Sequence, residues 1–160
     1  MPQARTSRIY ACLGDSITFG APSRSNQPYP QSLDLSVFPT YGAGNEGVSS
    51  NTLVQMQTRY TNNIRNRGSY GLILLGGIND ILAGTTGVNA FTTWDAIVTD
   101  ALSVGMKVIG CTPTPFGTYG SWTAPLQAEL DVLNAAIMAR TPNSSLRLVD
   151  TYGLFGQPGT

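Results

Sequence analysis

The serine at position 16 is the first candidate for chemistry. It lies in the run Gly14-Asp15-Ser16-Ile17-Thr18, directly after an apolar stretch at 9–13. A serine just past a buried strand, on a turn that leads to a helix, exposes its hydroxyl and leaves its backbone N–H free, as nucleophilic serines require. The run differs from the Gly-x-Ser-x-Gly elbow because position 18 is Thr. A plain loop in which Asp15 or Ser16 caps a helix is the alternative interpretation.

Two further runs offer hydrogen-bond donors. Asn79, in the run Gly76-Gly77-Ile78-Asn79-Asp80, carries a side-chain amide of the kind that stabilises an oxyanion when it faces a cleft. In the run Asn45-Glu46-Gly47-Val48, Gly47 could supply a backbone N–H. Taken alone, the run around Asn79 is better explained as a glycine turn in which Asn79 or Asp80 caps the segment that follows, and Gly47 by itself is a weak signal.

Short apolar runs alternate with stretches of helical periodicity, a pattern typical of a parallel sheet covered by helices. The predicted strands are 9–13, 72–75, 108–111 and 146–149, with a weaker, glycine-rich one at 41–48. Between the strands, apolar residues recur at helical spacing in three stretches, which predicts three helices, and a short helix is expected near Pro30. The apolar stripes are Leu53, Met56, Tyr60 and Ile64; Phe91, Trp94, Val98 and Leu102; and Leu126, Leu130, Leu133 and Ile137. The sequence therefore predicts one domain over 1–160. Its expected fold is flavodoxin-like α/β, three layers (α/β/α) around a parallel five-stranded sheet of order 2-1-3-4-5. Ligands bind such sheets beyond the carboxyl ends of the strands, where the three polar runs lie.

Composition narrows the possible partners. The 160 residues carry nine positive and nine negative side chains, and only 11% are charged. Without a basic run the chain is not expected to bind nucleic acid. The longest apolar run has four residues, 72–75, far below the ~20 that a membrane span needs. No secretory signal is recognisable at the polar N-terminus, so the protein is expected in the cytoplasm, or outside the cell if a leader was removed. Nothing in the sequence fixes an oligomeric state.

Metal and cofactor chemistry is not expected. The sequence contains no His, and Cys12 and Cys111 alone cannot build a four-thiolate zinc site. In the predicted strand order these cysteines lie about two strand spacings apart, near 9–10 Å. A disulfide needs Cα atoms within ~7 Å, so both should be free, buried thiols.

Together, the three polar runs resemble the SGNH, or GDSL-type, hydrolase family of esterases and lipases. Gly-Asp-Ser follows the first strand, Asn-x-Gly the second and Gly-x-Asn-Asp the third, in the family's order. The resemblance implies that Ser16 is the nucleophile. It also implies an oxyanion hole made of the Ser16 backbone N–H, the Gly47 backbone N–H and the Asn79 side chain. The supporting residues around them would be Gly14, Asp15, Gly77 and Asp80.

The sequence departs from the family at its last block, Asp-x-x-His, because it has no His. Without that base the chain as it stands is expected to be nearly inactive. Either the sequence stops before the block, with the C-terminal helix missing, or the protein is an inactive carbohydrate-binding or interaction domain on the same scaffold. In the first case an apolar patch should be exposed on one sheet face. Asp150, at the end of the last strand, is expected to be a polar cap or loop anchor and not a replacement for the family's Asp.

The substrate expected from the resemblance is a small-molecule ester. Tyr119 and Trp122 lie in a loop after the fourth strand, where they could stack on a sugar or line an acyl pocket, or could simply cover the start of the third helix. The cleft is rich in hydroxyl groups and shows no obvious long apolar groove. A short-chain or acetyl ester of a carbohydrate is therefore favoured.

Overall fold

Five parallel strands form the centre of the protein. The structure, a computed structural model, describes residues 9–20, 28–36, 42–116 and 120–156. The strands are β1 (Ile9–Gly14), β2 (Gly42–Gly47), β3 (Gly71–Leu75), β4 (Lys107–Cys111) and β5 (Leu146–Val149). They are arranged in the order β2-β1-β3-β4-β5, and every neighbouring pair is parallel. The predicted sheet is confirmed, including its glycine-rich edge strand.

Helices connect the strands. Their bounds are α1 (Ser16–Phe19), α2 (Tyr29–Ser36), α3 (Leu53–Arg59), α4 (Ile78–Leu82), α5 (Gly87–Ser103), α6 (Ala124–Ala139) and α7 (Thr151–Phe155). A π-helical turn, Tyr60–Ile64, continues α3. The three predicted stripes lie on α3 with its π-helical turn, on α5 and on α6. The sequence did not predict α4, α7 or the change to π-helical geometry.

Side-chain caps explain where several helices begin. Asp15 accepts the backbone N–H of Ile17 at the start of α1 (2.9 Å), which satisfies a donor that the helix itself leaves unpaired. Asp150 accepts the N–H of Gly153 in the same way at the start of α7 (2.9 Å). The prediction that Asp150 is a polar cap is thus confirmed.

The two faces of the sheet are covered to different extents. Helices α3 to α6 pack on one face, where Leu72, Leu74 and Val108 are at most 1% exposed and Trp94 is fully buried. The other face has a smaller apolar cluster built around Cys12, Ile73, Leu75 and Cys111, with α1 and α2 beside it. Alternate residues of one strand therefore meet a complete core on one side and a thinner layer on the other.

Both cysteines belong to the thinner layer. Cys12 and Cys111 are free and buried, as predicted. Burial raises the pKa of each thiol to about 12, so at neutral pH they behave as small apolar side chains. Within the described ranges, every helix is too short or too polar to span a lipid bilayer.

Candidate functional site

The strand register brings the predicted site residues to one edge of the sheet. Gly14, the last residue of β1, is paired with Gly47 of β2 on one side and with Leu75 of β3 on the other. The three polar runs therefore lie at or directly after three paired positions, side by side in the sheet. Since the carboxyl ends of parallel strands share an edge, Ser16 and Asn79 both emerge there.

Ser16 is the first residue of α1 and is half-buried. The capping bond of Asp15 goes to the N–H of Ile17, so it does not occupy the N–H of Ser16. Among the residues that the structure describes, none hydrogen-bonds to the Ser16 hydroxyl. The serine is presented as a nucleophile would be, but no described side chain accepts its proton.

Asp15 is a buried carboxyl next to that serine. It is 1% exposed, and its second oxygen, Oδ2, has no hydrogen-bond partner among the described residues. Burial raises the pKa of Asp15 to about 6; the N–H of Ile17 lowers it in part, and the charge of Asp80 raises it further. The carboxyl therefore changes charge close to neutral pH.

Arg59 of α3 holds the edge of the sheet together. Its guanidinium donates to the carbonyl of Gly14 (3.0 Å), to the carbonyl of Glu46 (2.7 Å) and to Oδ1 of Asn51 (2.8 Å). Partial burial lowers its pKa, which stays far above neutral pH in any protein. One fixed cation thus joins the ends of β1 and β2 to the loop before α3.

The Gly47 backbone N–H donates to Oδ1 of Asn45 (2.9 Å). It can serve as an oxyanion donor only when that bond opens. Gly47 also lies close to α1, because a Cβ there would come within 2.6 Å of Phe19 Cα. Close approach of two backbones, and not a special φ angle, is what requires glycine at this position.

Ser50 in the same loop has a left-handed backbone, φ 62°, the only non-glycine residue with positive φ in the described part of the chain. Such conformations are costly for residues with a Cβ and concentrate at functional sites. Ser50 precedes Asn51, whose carbonyl oxygen accepts the side-chain amide of Asn79 (3.0 Å). The strained residue therefore directly precedes the residue whose carbonyl positions the predicted oxyanion donor.

Asn79 and Asp80 tie the loop after β3 to the start of α3. The Asn79 amide uses one of its two N–H donors on Asn51, which leaves the other for a ligand. Asp80 is 3% exposed and accepts the backbone N–H of Leu53 (2.9 Å); burial raises its pKa. Gly77 caps α4 with φ 120°, a conformation that only glycine adopts readily. Asp80 and Gly77 thus have structural roles beside Asn79.

Of the two predicted substrate-lining aromatics, Tyr119 lies outside the described residues. Trp122 is half-buried, and its ring meets Phe116 edge-to-face with centroids 5.7 Å apart. Its indole N–H donates to Gln127 (2.9 Å), whose amide in turn donates to the Tyr152 hydroxyl (2.7 Å). These contacts favour the alternative in which Trp122 covers the start of α6.

An apolar groove of about 510 Å³ lies on the thinner face of the sheet. It passes over β3, β4 and β5, and none of its lining residues is charged. The expectation that no long apolar groove is present is therefore wrong. Alternate strand residues build the groove, and a sequence pattern cannot tell whether a helix covers the face they form.

Arg59, Asn51 and Ser50 were not predicted as part of the site. Arg59 falls within a helical stretch. The two carbonyls that it binds belong to residues 13 and 45 positions away along the chain. The polar run Ser49-Ser50-Asn51-Thr52 is a recognisable turn signal, although it does not reveal which residue is left-handed. No three metal-ligating side chains cluster within the described ranges.

Comparison with protein families matches residues 12–160 to the GDSL-like lipase/acylhydrolase family. Among proteins with curated functions, none matches the sequence. The family match covers all the strand ends described above, from the second half of β1 onward.

Solved structures of similar fold come from several esterases. A lipolytic protein of the G-D-S-L family from Veillonella parvula DSM 2008 is 21% identical, with a TM-score of 0.74 over 92% of this chain and 80% of its own. A variant of Axe2, an acetyl-xylooligosaccharide esterase from Geobacillus Stearmophilus, is 19% identical, with a TM-score of 0.74 over 96% and 80%. The SGNH-hydrolase family esterase AlinE4 is 18% identical, with a TM-score of 0.72 over 93% and 78%. At these identities the similarity establishes the SGNH hydrolase fold.

Proposed function

Because this chain belongs to the GDSL-like lipase/acylhydrolase family, a family of ester hydrolases, we propose that it is the scaffold of a serine esterase acting on small carboxylic esters. The observation that carries the proposal is the strand register, in which Gly14 is paired with Gly47 of β2 and with Leu75 of β3, so that the carboxyl ends of these strands lie side by side. This register delivers a half-buried serine and an asparagine amide to the same edge.

In the proposed reaction the Ser16 Oγ attacks the carbonyl carbon of the ester, and its proton passes to a general base. The carbonyl oxygen becomes an oxyanion. The intermediate collapses, the alcohol leaves with the proton returned by the base, and an acyl-Ser16 ester is left. Water then attacks that ester, gives one proton to the base and releases the acid, and Ser16 recovers its hydrogen.

In this proposal three N–H donors stabilise the oxyanion, and two of them need no rearrangement. These two are the backbone N–H of Ser16 and the free N–H of the Asn79 amide. The third is a backbone N–H of the loop after β2. Gly47 fills this role if its bond to Asn45 opens, and Ser50, left-handed and next to the Asn79 contact, is the alternative within the same loop. Removing one such donor typically costs ~10²–10³ in rate.

The general base is the part of the machinery that this sequence does not contain. We propose that it is a His supplied by the polypeptide that follows residue 160, in the position of the family's Asp-x-x-His block. The position of α7 (Thr151–Phe155), directly after β5 at the carboxyl edge of the sheet where Ser16 also lies, supports this placement. Without it, the 160-residue chain is expected to be slower by roughly 10⁶ in kcat.

For the substrate we propose a short-chain ester, with an acetylated carbohydrate as the physiological class. The support is an analogy of fold with the acetyl-xylooligosaccharide esterase, together with the polar side chains at the sheet edge.

The proposal is tested by sequencing the gene past the codon for Thr160 and expressing the extended product. We expect p-nitrophenyl acetate hydrolysis by the extended protein and labelling of Ser16 by a fluorophosphonate probe. Ser16→Ala should abolish both, and Asn79→Ala should reduce hydrolysis by ~10²–10³. A stop codon directly after Thr160, with no hydrolysis by the chain, would instead favour a domain that binds carbohydrate without cleaving it. Sugar binding at the Ser16 edge would then be the property to measure.

A further inference from the structure

Phe19 is the last residue of α1, the short helix that begins at Ser16. The two residues are one helical turn apart, a spacing that places side chains beside each other on a helix surface. Thr18 faces the core and is fully buried, whereas Phe19 is 54% exposed. The Phe19 side chain therefore lies at the surface, next to the candidate nucleophile.

Few aromatic side chains of this protein are exposed to that extent. In the described part of the chain, only Phe19 and Phe155 have aromatic rings that are more than half exposed. Phe155 borders the apolar groove on the thinner face of the sheet, whereas Phe19 belongs to the helix that begins at Ser16. Trp122, the aromatic residue that the sequence offered for a sugar, packs on Phe116 instead. Phe19 is thus the aromatic residue that remains available to a ligand held at the serine.

The backbone of Phe19 lies against the end of β2. A Cβ at Gly47 would come within 2.6 Å of Phe19 Cα, so the two backbones are in direct contact. The Phe19 carbonyl accepts the side-chain amide of Asn45 at 3.4 Å, and Oδ1 of the same asparagine accepts the Gly47 N–H at 2.9 Å. These contacts fix Phe19 beside β2 and hold the Asn45 amide next to it.

Asn45 keeps hydrogen-bonding capacity for a ligand. An asparagine amide has two N–H donors, and its oxygen has two lone pairs. Among the described residues, the contacts with Phe19 and Gly47 use one donor and one lone pair. The Asn45 side chain is exposed, so a bound molecule can reach the donor and the lone pair that remain. A hydroxyl group, which both donates and accepts, matches them.

A sugar ring has the chemistry that fits an exposed aromatic ring beside a free amide. One face of a pyranose presents C–H groups, which pack on an aromatic face, and its edge carries hydroxyl groups, which bond to amides. An acyl chain fits less well. It would cover the Asn45 amide without giving it a hydrogen-bond partner, and burying an unpaired amide costs free energy.

We propose that Phe19 and Asn45 form a subsite for a sugar in the alcohol part of the ester, in which the pyranose ring stacks on Phe19 and a hydroxyl binds the Asn45 amide. The inference rests on the proposed function for the position of the ester carbonyl at Ser16. Both residues select the alcohol and take no part in making or breaking bonds. The bond between Asn45 and Gly47 is retained, which is compatible with Ser50 as the third oxyanion donor.

Two acetyl esters of primary alcohols test the subsite in the gene's extended product: 6-O-acetylglucose, which carries a sugar ring, and ethyl acetate, which does not. We expect Phe19→Ala to lower kcat/KM for 6-O-acetylglucose roughly 3–10-fold more than for ethyl acetate, mainly through KM. Val88→Ala is the matched control, since Val88 is 62% exposed on α5, and it should leave the ratio of the two substrates unchanged. An equal loss with both esters would overturn the proposal, because it would show that Phe19 supports α1 and does not bind the sugar.

Conservative variants test the kind of contact. Phe19→Tyr keeps a flat ring and should retain the preference for 6-O-acetylglucose, whereas Phe19→Leu keeps apolar area without the ring and should lose it. Asn45→Asp can still accept the Gly47 N–H but has no donor for a hydroxyl, so it should weaken the preference as well. If Phe19→Leu and Asn45→Asp both keep the full preference, the contact is not one with a sugar and the proposal is wrong.

Binding without catalysis separates this inference from the proposed function. Methyl β-glucoside, which contains no ester, is titrated into the 160-residue chain and into its Phe19→Ala variant, and the backbone amide signals are followed by NMR. We expect shifts around Phe19 and Gly47 in the parent chain and their loss in the variant. No shift in the parent, or the same shifts in both proteins, would overturn the subsite. Failure to hydrolyse either ester, with these shifts present, would overturn only the proposed esterase.

Discussion

The Arg59 guanidinium donates to the Gly14 carbonyl at 3.0 Å, across 45 positions of sequence. Gly14 is the residue at which β1 ends, two positions before Ser16. The same cation binds the end of β2 through the carbonyl of Glu46. Arg59 is therefore a positioning residue, which fixes the strand ends from which the candidate site is built.

Replacing Arg59 by Lys should destabilise the protein. An ammonium group cannot reproduce a planar fork that serves three acceptors, so the carbonyls of Gly14 and Glu46 lose a charged donor. We expect the free energy of unfolding to fall by about 1–3 kcal/mol, measured by urea titration. Arg67→Lys is the control: Arg67 is more than half exposed, and its ion pair with Glu46 should contribute less than about 1 kcal/mol. Equal losses in the two variants would contradict the positioning role.

Asp15 should make stability depend on pH. Its pKa is about 6 in the folded protein, against an ordinary value of 3.8. The folded chain thus keeps a proton that the unfolded chain has released between these values, and its stability falls as pH rises through this window. The contribution is fully present below pH 4 and is lost by about pH 6–7, a change of about 3 kcal/mol.

Asp15→Asn is the matched variant for that measurement, because its amide oxygen can still accept the Ile17 N–H but does not titrate. The free energy of unfolding of both proteins is measured with urea at pH 4, 5, 6 and 7. The change with pH in the difference between the two proteins is the contribution of the Asp15 carboxyl. The variant should gain stability relative to the parent as pH rises. Parallel curves for the two proteins would show that this carboxyl is not the source.

Gly47→Ala should be poorly tolerated, because the added methyl would overlap the backbone at Phe19. We expect a loss of about 2 kcal/mol or more in the free energy of unfolding. Gly44→Ala on the same strand provides the comparison, since its Cβ would find its nearest neighbour at an ordinary 3.6 Å. That variant should stay within about 0.5 kcal/mol of the parent. Similar losses at both positions would instead indicate a general intolerance of β2 to side chains.

Substitutions at Ser50 should change stability according to how well each residue tolerates a left-handed backbone. Ser50→Gly removes a conformational cost of about 1–2 kcal/mol, offset in part by the greater freedom of glycine in the unfolded chain. Ser50→Val puts a β-branched residue at φ 62° and should unfold more easily than the parent. Thermal unfolding should rank the three proteins Gly, Ser, Val from most to least stable. The opposite order would show that the loop adopts another conformation in solution.

The sheet was predictable because most of its strands are short, mainly apolar runs, while β2 was only a weaker, glycine-rich candidate. The sequence also predicts that the three polar runs lie at one edge of the sheet, because the carboxyl ends of parallel strands share an edge. Ser16 and Asn79 therefore lie at the edge where they were expected, although their proposed roles stay predictions until activity is measured.

The remaining features depend on tertiary contacts. Whether the Gly47 N–H is free depends on which way the Asn45 side chain turns, and a sequence cannot state this. The role of Arg59 depends on carbonyls from two distant strands. The groove on the thinner face depends on how much of the sheet α1 and α2 cover, because the apolar residues at Ile73 and Ile109 look the same in the sequence with or without a helix above them.

The strand order also has a simple relation to the order of synthesis. Every strand after β1 lies beside one that precedes it in the chain: β2 and β3 beside β1, β4 beside β3, and β5 beside β4. Each strand therefore has a sheet partner that is synthesised before it, and none depends on a later strand for its first neighbour.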